Sequence, residues 1–188
     1  MPGQLTRLTR PRGQVSRWLL RAVVVLLLAA ALGALAGVVW EWVWTPPSGV
    51  AYRGHWVLDE NGLPTEFSGT GWYILIAAAG GIVLGAGTAL LTRDGEVASL
   101  VTVTLGALLA GWLMFHVGHD LGPPDPATLA AGADDLTAIP GDLRVGGAGL
   151  HPRPYALDSA AFVAFPAGAL LAFAGLLLGL APRRPSRD

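Results

Sequence analysis

The sequence predicts an all-α membrane protein, a four-transmembrane-helix bundle that carries a small extracytoplasmic cap containing a β-hairpin. Three observations lead to this fold class. Apolar residues make up 53% of the 188 residues and charged residues only 13%, about half the charged share of a soluble domain. Four windows approach the roughly 20 apolar residues that cross a bilayer as a helix. Two long polar loops, 41–72 and 118–159, follow the first and third windows.

The four predicted spans set the organisation of the chain. None carries an ionised residue near its centre, which is typical of helices that cross a membrane. They form a transmembrane domain over 22–181, between a basic segment 1–21 and a tail 182–188. The spans are Ala22–Trp40, Tyr73–Leu91, Leu100–Val117 and Ala160–Leu180.

Two local features modify this picture of the spans. Ala34 and Ala36 precede Gly37 in a pattern typical of a signal-peptide cleavage site, so cleavage is the alternative fate of the first span. Pro166 predicts a kink in the fourth span because proline removes a backbone hydrogen bond.

The arginine distribution predicts the orientation. Nine of the 12 arginines lie in the terminal segments or in the turn between spans two and three, and the chain has no lysine. The two long loops hold three arginines and ten acidic residues. Because cytoplasmic segments carry the excess of positive charge, both termini are predicted to be cytoplasmic at a bacterial inner membrane. The net charge of −1 therefore hides a positive inner face and a negative outer face.

Small residues four apart predict how the helices pack. Such pairs allow two helix backbones to approach closely in lipid, within one chain or across a homo-oligomer. The pairs are Gly33 and Gly37 in span one, Gly81 and Gly85 in span two, and Gly175 and Gly179 in span four.

Aromatic residues cluster near the outer ends of the spans, where rings prefer the level of the lipid headgroups. We expect them to form an interfacial belt, with ligand stacking as the alternative. These residues are Trp40, Trp42, Trp44, Trp72, Tyr73, Trp112 and Phe115.

The outer loops contain signals for a folded cap. Residues 50–58 are rich in β-formers, the turn signal Asn61-Gly62 follows, and 63–67 is predicted to return as the second strand. In the second loop, Asp125 before Pro126 predicts the start of a short helix that ends near residue 131. Residues 143–145 are predicted to pair with the hairpin, and Asp158 is expected to cap span four.

Candidate chemistry lies on the outer side. His116 and His119 lie three residues apart on one helix face, and Asp120 adds a carboxylate, which is a ligand set that suits Zn²⁺. The spacing matches no well-defined metal motif, so satisfaction of loop groups is the alternative role. His55 is expected to descend from the hairpin towards this set.

Glu41 lies between two tryptophans at the predicted membrane edge, where a carboxylate is costly unless it is paired or solvated. We expect an ion pair with His116, Arg53 or Arg153; a contact to substrate or to a proton is the alternative.

The segment Trp42-x-Trp44-Thr45-Pro46-Pro47-x-Gly49-Val50 precedes a hairpin-like loop, two closely spaced spans and a second long outer loop. This frame resembles an uncharacterised family of actinobacterial four-span membrane proteins, classed as a domain of unknown function. The resemblance covers most of residues 18–181. It implies the four-span fold and no activity, so no catalytic residue is carried over.

The absence of cysteine excludes disulfides and thiolate chemistry, and no nucleotide-binding or nucleophile motif occurs. We expect no cofactor and no nucleic-acid partner, because no Lys/Arg-rich face is present. The expected function is that of a non-enzymatic accessory or scaffold protein in the lipid bilayer whose outer loops bind a protein partner. The alternatives are a small oligomeric channel or transporter, and a metal-dependent enzyme that uses His116, His119 and Asp120.

Overall fold

The computed structural model describes residues 12–60, 67–91, 96–148 and 158–180. Four helical stretches in these ranges are long and apolar enough to cross a membrane. The helices that form these stretches are α1 (Arg12–Val43), α2 (Ser68–Leu91), α3 (Glu96–Leu121) and the final helix Ala164–Leu180, which follows a 3-10 turn over Ala160–Val163.

The first helix is longer than its predicted span, because it runs from Arg12 to Val43 instead of from Ala22 to Trp40. The second and third helices extend beyond theirs towards the cap. The second begins at Ser68 instead of Tyr73, and the third ends at Leu121 instead of Val117. The extra turns are folded because they pack beneath the cap: Gly69 is buried, and its carbonyl accepts a hydrogen bond of 2.8 Å from the Trp40 indole. The two long loops are therefore shorter than the predicted ranges 41–72 and 118–159.

The cap contains a three-stranded antiparallel sheet of order β2-β1-β3, built from β1 (Ser48–Tyr52), β2 (His55–Leu58) and β3 (Ala138–Pro140). The short helix α4 (Pro126–Ala130) packs against the sheet. Asp125 accepts a hydrogen bond from the backbone N–H of Ala127, which confirms its predicted capping role. Since the short helix is α4, the last helix, Ala164–Leu180, is α5.

The hairpin is present, but its turn lies earlier than predicted. Arg53 and Gly54 form the turn with φ angles of 51° and 75°, so residues 50–58 fold into two strands instead of one. Positive φ at both central residues matches the twist of a two-residue hairpin loop. The Asn61-Gly62 signal and residues 63–66 of the predicted return strand lie outside the described residues.

The strand that pairs with the hairpin from the second loop is also different. Ile139 of β3 pairs with Gly49 of β1, whereas the predicted pairing strand was 143–145, which contains Leu143 and Val145. Those two side chains are instead buried in the main core of the bundle. Their hydrophobic burial in the bundle holds this segment away from the sheet.

The start of the last helix differs in two details. Ser159, and not Asp158, is the N-cap, since its hydroxyl accepts from the backbone N–H of Ala161 at 3.3 Å. Pro166 lies in the first turn of α5, a position where proline is tolerated. The predicted kink within a continuous span is therefore replaced by a change from a 3-10 turn to an α-helix.

The long helices pack as two close pairs, α1 with α3 and α2 with α5. A Cβ on Gly33 would overlap the Ala110 backbone of α3, and a Cβ on Gly85 would overlap the Ala169 backbone of α5. Gly37 and Gly81 lie equally close to the same partner helices. By contrast, Gly175 and Gly179 are exposed, with no described atom within 4 Å of an added Cβ.

The expected aromatic belt is divided into two sets. Trp42, Trp72 and Trp112 are exposed as predicted for such a belt, whereas Trp40 and Tyr73 are completely buried. The buried rings find internal partners for their polar atoms: the Tyr73 hydroxyl donates to the Gly111 carbonyl at 3.1 Å. The buried rings therefore form a core layer at the cap end of the bundle, together with Phe115 and Phe162. Trp44 is also buried.

Candidate functional site

A cleft of about 550 Å³ lies between the cap sheet, α4 and the segment 141–147. Its walls combine indole and proline rings with carboxylate, guanidinium and imidazole groups. The side chains that give the cleft this character are Trp44, Pro47, His55, Trp56, Asp125, Pro126, Asp142 and Arg144.

One wall of the cleft is the segment 141–147, which is fixed to the end of the helix bundle. His119 contacts the Leu143 carbonyl through Nδ1 at 2.8 Å, and Thr70 accepts from the Gly146 N–H at 2.7 Å. Ser159 donates to the Gly146 carbonyl at 2.9 Å. Hydrogen bonds from α2, from α3 and from the N-cap of the 3-10 turn therefore hold this wall of the cleft against the bundle.

The opposite wall is held by Trp56 of β2. Its indole N–H donates to the Ile139 carbonyl of β3 at 3.0 Å, so the ring crosses the face of β1. Gly49 of β1 allows this crossing, because a Cβ there would overlap the indole. Ala51, Ala130 and Ile139 form a small separate core beneath the sheet.

Arg144 is the charged centre of the cleft. Its guanidinium contacts Asp125 at 3.0 Å and also contacts Asp142, and both described ion pairs use this one arginine. Arg53 is placed at the hairpin turn, where its guanidinium lies 5.3 Å from the centre of the Tyr52 ring. Since the two loops carry ten acids and three arginines, the cap end is negative and attracts cationic groups.

The structure does not bring the predicted metal ligands into one set. His116 packs against Trp112 and Phe115, with ring centroids 4.7 and 5.4 Å apart. His119 stacks on Phe115 and is held by the Leu143 carbonyl, while Asp120 is exposed. Among the described residues no group of three or more histidine and acidic side chains is placed to hold a metal ion.

The other predicted polar residues are also separated from one another. Glu41 is half-buried near the end of α1 and belongs to neither described ion pair. The predicted partner Arg53 lies at the tip of the hairpin, and Arg153 lies outside the described residues. His55 is exposed and lines the cap cleft instead of descending towards His119.

Sequence reasoning missed Arg144, Asp142 and Trp56 as site residues. The alternation of polar Asp142 and Arg144 with apolar Leu143 and Val145 carries a usable signal, because it indicates an extended segment with one buried face. The pattern does not reveal that the buried face packs on helices and not on a sheet.

Threonine hydroxyls lie within the described parts of the predicted spans. The hydroxyls of Thr88, Thr102 and Thr104 donate to carbonyls four residues earlier in their own helices, at 2.8, 2.9 and 2.8 Å. Such bonds satisfy the hydroxyls locally. The geometry therefore gives the channel alternative no specific support within the described part of the chain.

Comparison with family models, with curated proteins and with solved structures finds no match to this chain. The resemblance to an actinobacterial four-span family therefore stays a prediction.

Proposed function

We propose that this chain is a non-enzymatic accessory or scaffold protein of the bacterial inner membrane, and that its extracytoplasmic cap binds a basic segment of a partner protein. The observation that carries the proposal is the cap cleft. It has rigid walls, two indole rings and an excess of acidic groups around it.

Membrane insertion is supported by the surface of the long helices. Large apolar side chains on every one of them are exposed, among them Leu27, Leu75, Leu105 and Leu171 at 65, 63, 55 and 74%. Exposed apolar area on this scale is unfavourable in water, and a lipid environment removes the cost. Within the described residues the cap lies at one end of the bundle, and it would offer a partner a folded face.

The chemistry of the cleft selects the kind of partner. Trp56 supplies flat apolar surface, and indoles are enriched at binding hot spots. Trp44 also lines the cleft but is only 8% exposed. The Asp125 side chain is 40% exposed, and its described contacts with Arg144 and the Ala127 N–H use only Oδ1, so Oδ2 can accept from another cation. Asp142 is only 6% exposed and is paired with Arg144. A segment with a lysine or arginine beside an apolar residue satisfies both features.

The proposal is tested by photo-crosslinking in intact cells. We expect a photoreactive amino acid at His55, inside the cleft, to give a discrete adduct with a second protein. The same group at Leu129 is the matched control, because Leu129 is exposed on α4 of the same cap but does not line the cleft. An adduct with another copy of this chain only, equal adducts at both positions, or no adduct at His55 contradicts the proposal.

Salt dependence tests the basic character of the partner. In membrane vesicles the yield of the His55 adduct should fall as salt is raised from about 0.01 M to about 1 M, because the Debye length shrinks from about 30 Å to about 3 Å. A yield that stays constant over this range contradicts recognition by charge.

A further inference from the structure

We propose that the chain binds one anionic phospholipid in a groove between α1 and α2, with one of its two acyl chains along the groove and the headgroup at Arg21. This inference rests on the membrane insertion proposed above. It does not depend on the cap or on a protein partner.

The groove is a cavity of about 330 Å³ with almost wholly apolar walls. It exists because α1 packs mainly on α3 and α2 mainly on α5, which leaves fewer contacts between α1 and α2. Leu28 and Leu35 of α1 and Val83 of α2 form its rims and are each more than half exposed. At Gly87, an added Cβ would meet no described atom within 4 Å, so the missing side chain deepens the groove.

The length of the groove fits one leaflet of a bilayer. Its α1 wall runs from Val25 to Leu35, which is about 15 Å at 1.5 Å per residue. Its α2 wall runs from Val83 to Leu91, about 12 Å by the same measure. Half of a hydrocarbon core of about 30 Å is about 15 Å, so a single acyl chain occupies the groove along its length.

A second cavity, of about 240 Å³, adjoins the groove at the arginine-rich end of α1 and shares Val25, Thr88 and Leu91 with it. Arg21, Trp18 and the hydroxyl-bearing Ser99 line this cavity. An indole prefers the level of the headgroups, and a guanidinium matches the geometry of a phosphate. The apolar groove therefore leads to a polar end suited to a lipid headgroup.

The charge at this end selects an anionic lipid over a zwitterionic one. Residues 1–40 contain five arginines and no acidic residue. Arg21 is exposed and lines the cavity, so its guanidinium can reach a phosphate that enters there. A basic segment next to a membrane span attracts anionic lipid.

The test is competitive lipid retention measured by native mass spectrometry. Protein in detergent is equilibrated with equal amounts of phosphatidylglycerol and phosphatidylcholine, then stripped until about one lipid per chain remains. We expect phosphatidylglycerol to be enriched. Arg21→Gln should weaken its retention about fivefold, the loss expected for one arginine at a headgroup, whereas Arg53→Gln at the cap should leave it unchanged.

A filling substitution tests the groove itself. Gly87→Leu should abolish the retained lipid, because the leucine side chain occupies the space of the acyl chain. Gly175→Leu is the matched control, since it adds the same side chain at an open, exposed site on α5 that lines neither cavity. Thermal unfolding of both variants in detergent checks that the fold is intact, and in a folded Gly87→Leu variant only loss of lipid supports the proposal.

Equal retention of the two lipids, or full retention in a folded Gly87→Leu variant, overturns the lipid site. Resistance of the wild-type chain to alkaline extraction from membranes tests membrane insertion independently of lipid retention. Crosslinking from His55 reads the cap. Failure of the lipid site is thus distinguishable from failure of the proposed function.

Discussion

At the residue scale, burial separates aromatic side chains that look equivalent in sequence. Trp40 and Trp42 lie two positions apart at the end of α1, yet Trp40 is completely buried and Trp42 is 79% exposed. The sequence places both at the predicted membrane edge. It does not show that Trp40 and Tyr73 meet in an edge-to-face contact with centroids 5.0 Å apart. Such pairs add stability beyond their buried area.

The hydroxyl of Tyr73 provides a test of this core layer. We expect Tyr73→Phe to lower the free energy of unfolding by about 0.5–1.5 kcal/mol, the net value of one hydrogen bond, because the bond to the Gly111 carbonyl of α3 is lost. Reversible unfolding in detergent micelles measures the change. Tyr52→Phe on the exposed cap is the control and should have no effect. Equal stabilities of the Tyr73→Phe variant and the wild type would show that the bond contributes nothing.

At the element scale, the glycine pairs have two different environments. Gly33, Gly37, Gly81 and Gly85 lie where one helix backbone meets another, whereas Gly175 has open space beside it. The sequence spacing is the same in all three pairs, so spacing alone does not identify the interface. The facing helix decides which pair is used, and only the tertiary structure shows it.

Alanine substitutions at two of these glycines distinguish the environments. Gly85→Ala should destabilise the protein by about 1–3 kcal/mol, the usual cost of overpacking, because its Cβ would overlap the Ala169 backbone of α5. Gly175→Ala should be neutral or up to about 1 kcal/mol stabilising, since alanine favours the helix. The comparison uses unfolding midpoints in one detergent. Similar destabilisation by both changes contradicts close packing of α2 on α5.

The turn of the cap hairpin lies at a different position from the predicted one. Asn-Gly is a strong hairpin signal, so the sequence predicts the turn at residues 61 and 62. The structure has the turn at Arg53-Gly54. The register explains the outcome: Tyr52 pairs with His55, so only two residues remain for the loop. The pairing of β1 with β3 and the contact of Trp56 with β3 hold this hairpin in place, and both are long-range effects.

At the scale of the whole molecule, the opposite charges of the two ends predict a single orientation. Since the chain contains no cysteine, single cysteines introduced at exposed positions report on each end separately. Leu129→Cys in the cap should react with a membrane-impermeant maleimide in intact cells. Val97→Cys, exposed near the start of α3 at the opposite end, should react only after the cells are permeabilised.

The reverse labelling pattern would place the cap in the cytoplasm and contradict both the orientation and the extracytoplasmic partner. Labelling of both cysteines in intact cells would contradict a closed membrane barrier between the two ends.

Several features follow from composition and short-range patterns alone. These are four long apolar helices, a folded region in the long loops, the helix N-cap at Asp125 and the opposite charge of the two ends. Their physical causes, apolar run length and local hydrogen bonding, are written into neighbouring residues. Contacts in the folded chain make Trp40 and Tyr73 core residues, make His119 hold the cleft wall, and make Arg144 the charged centre of the cleft. Those outcomes depend on contacts between residues far apart in the chain, which no local pattern encodes.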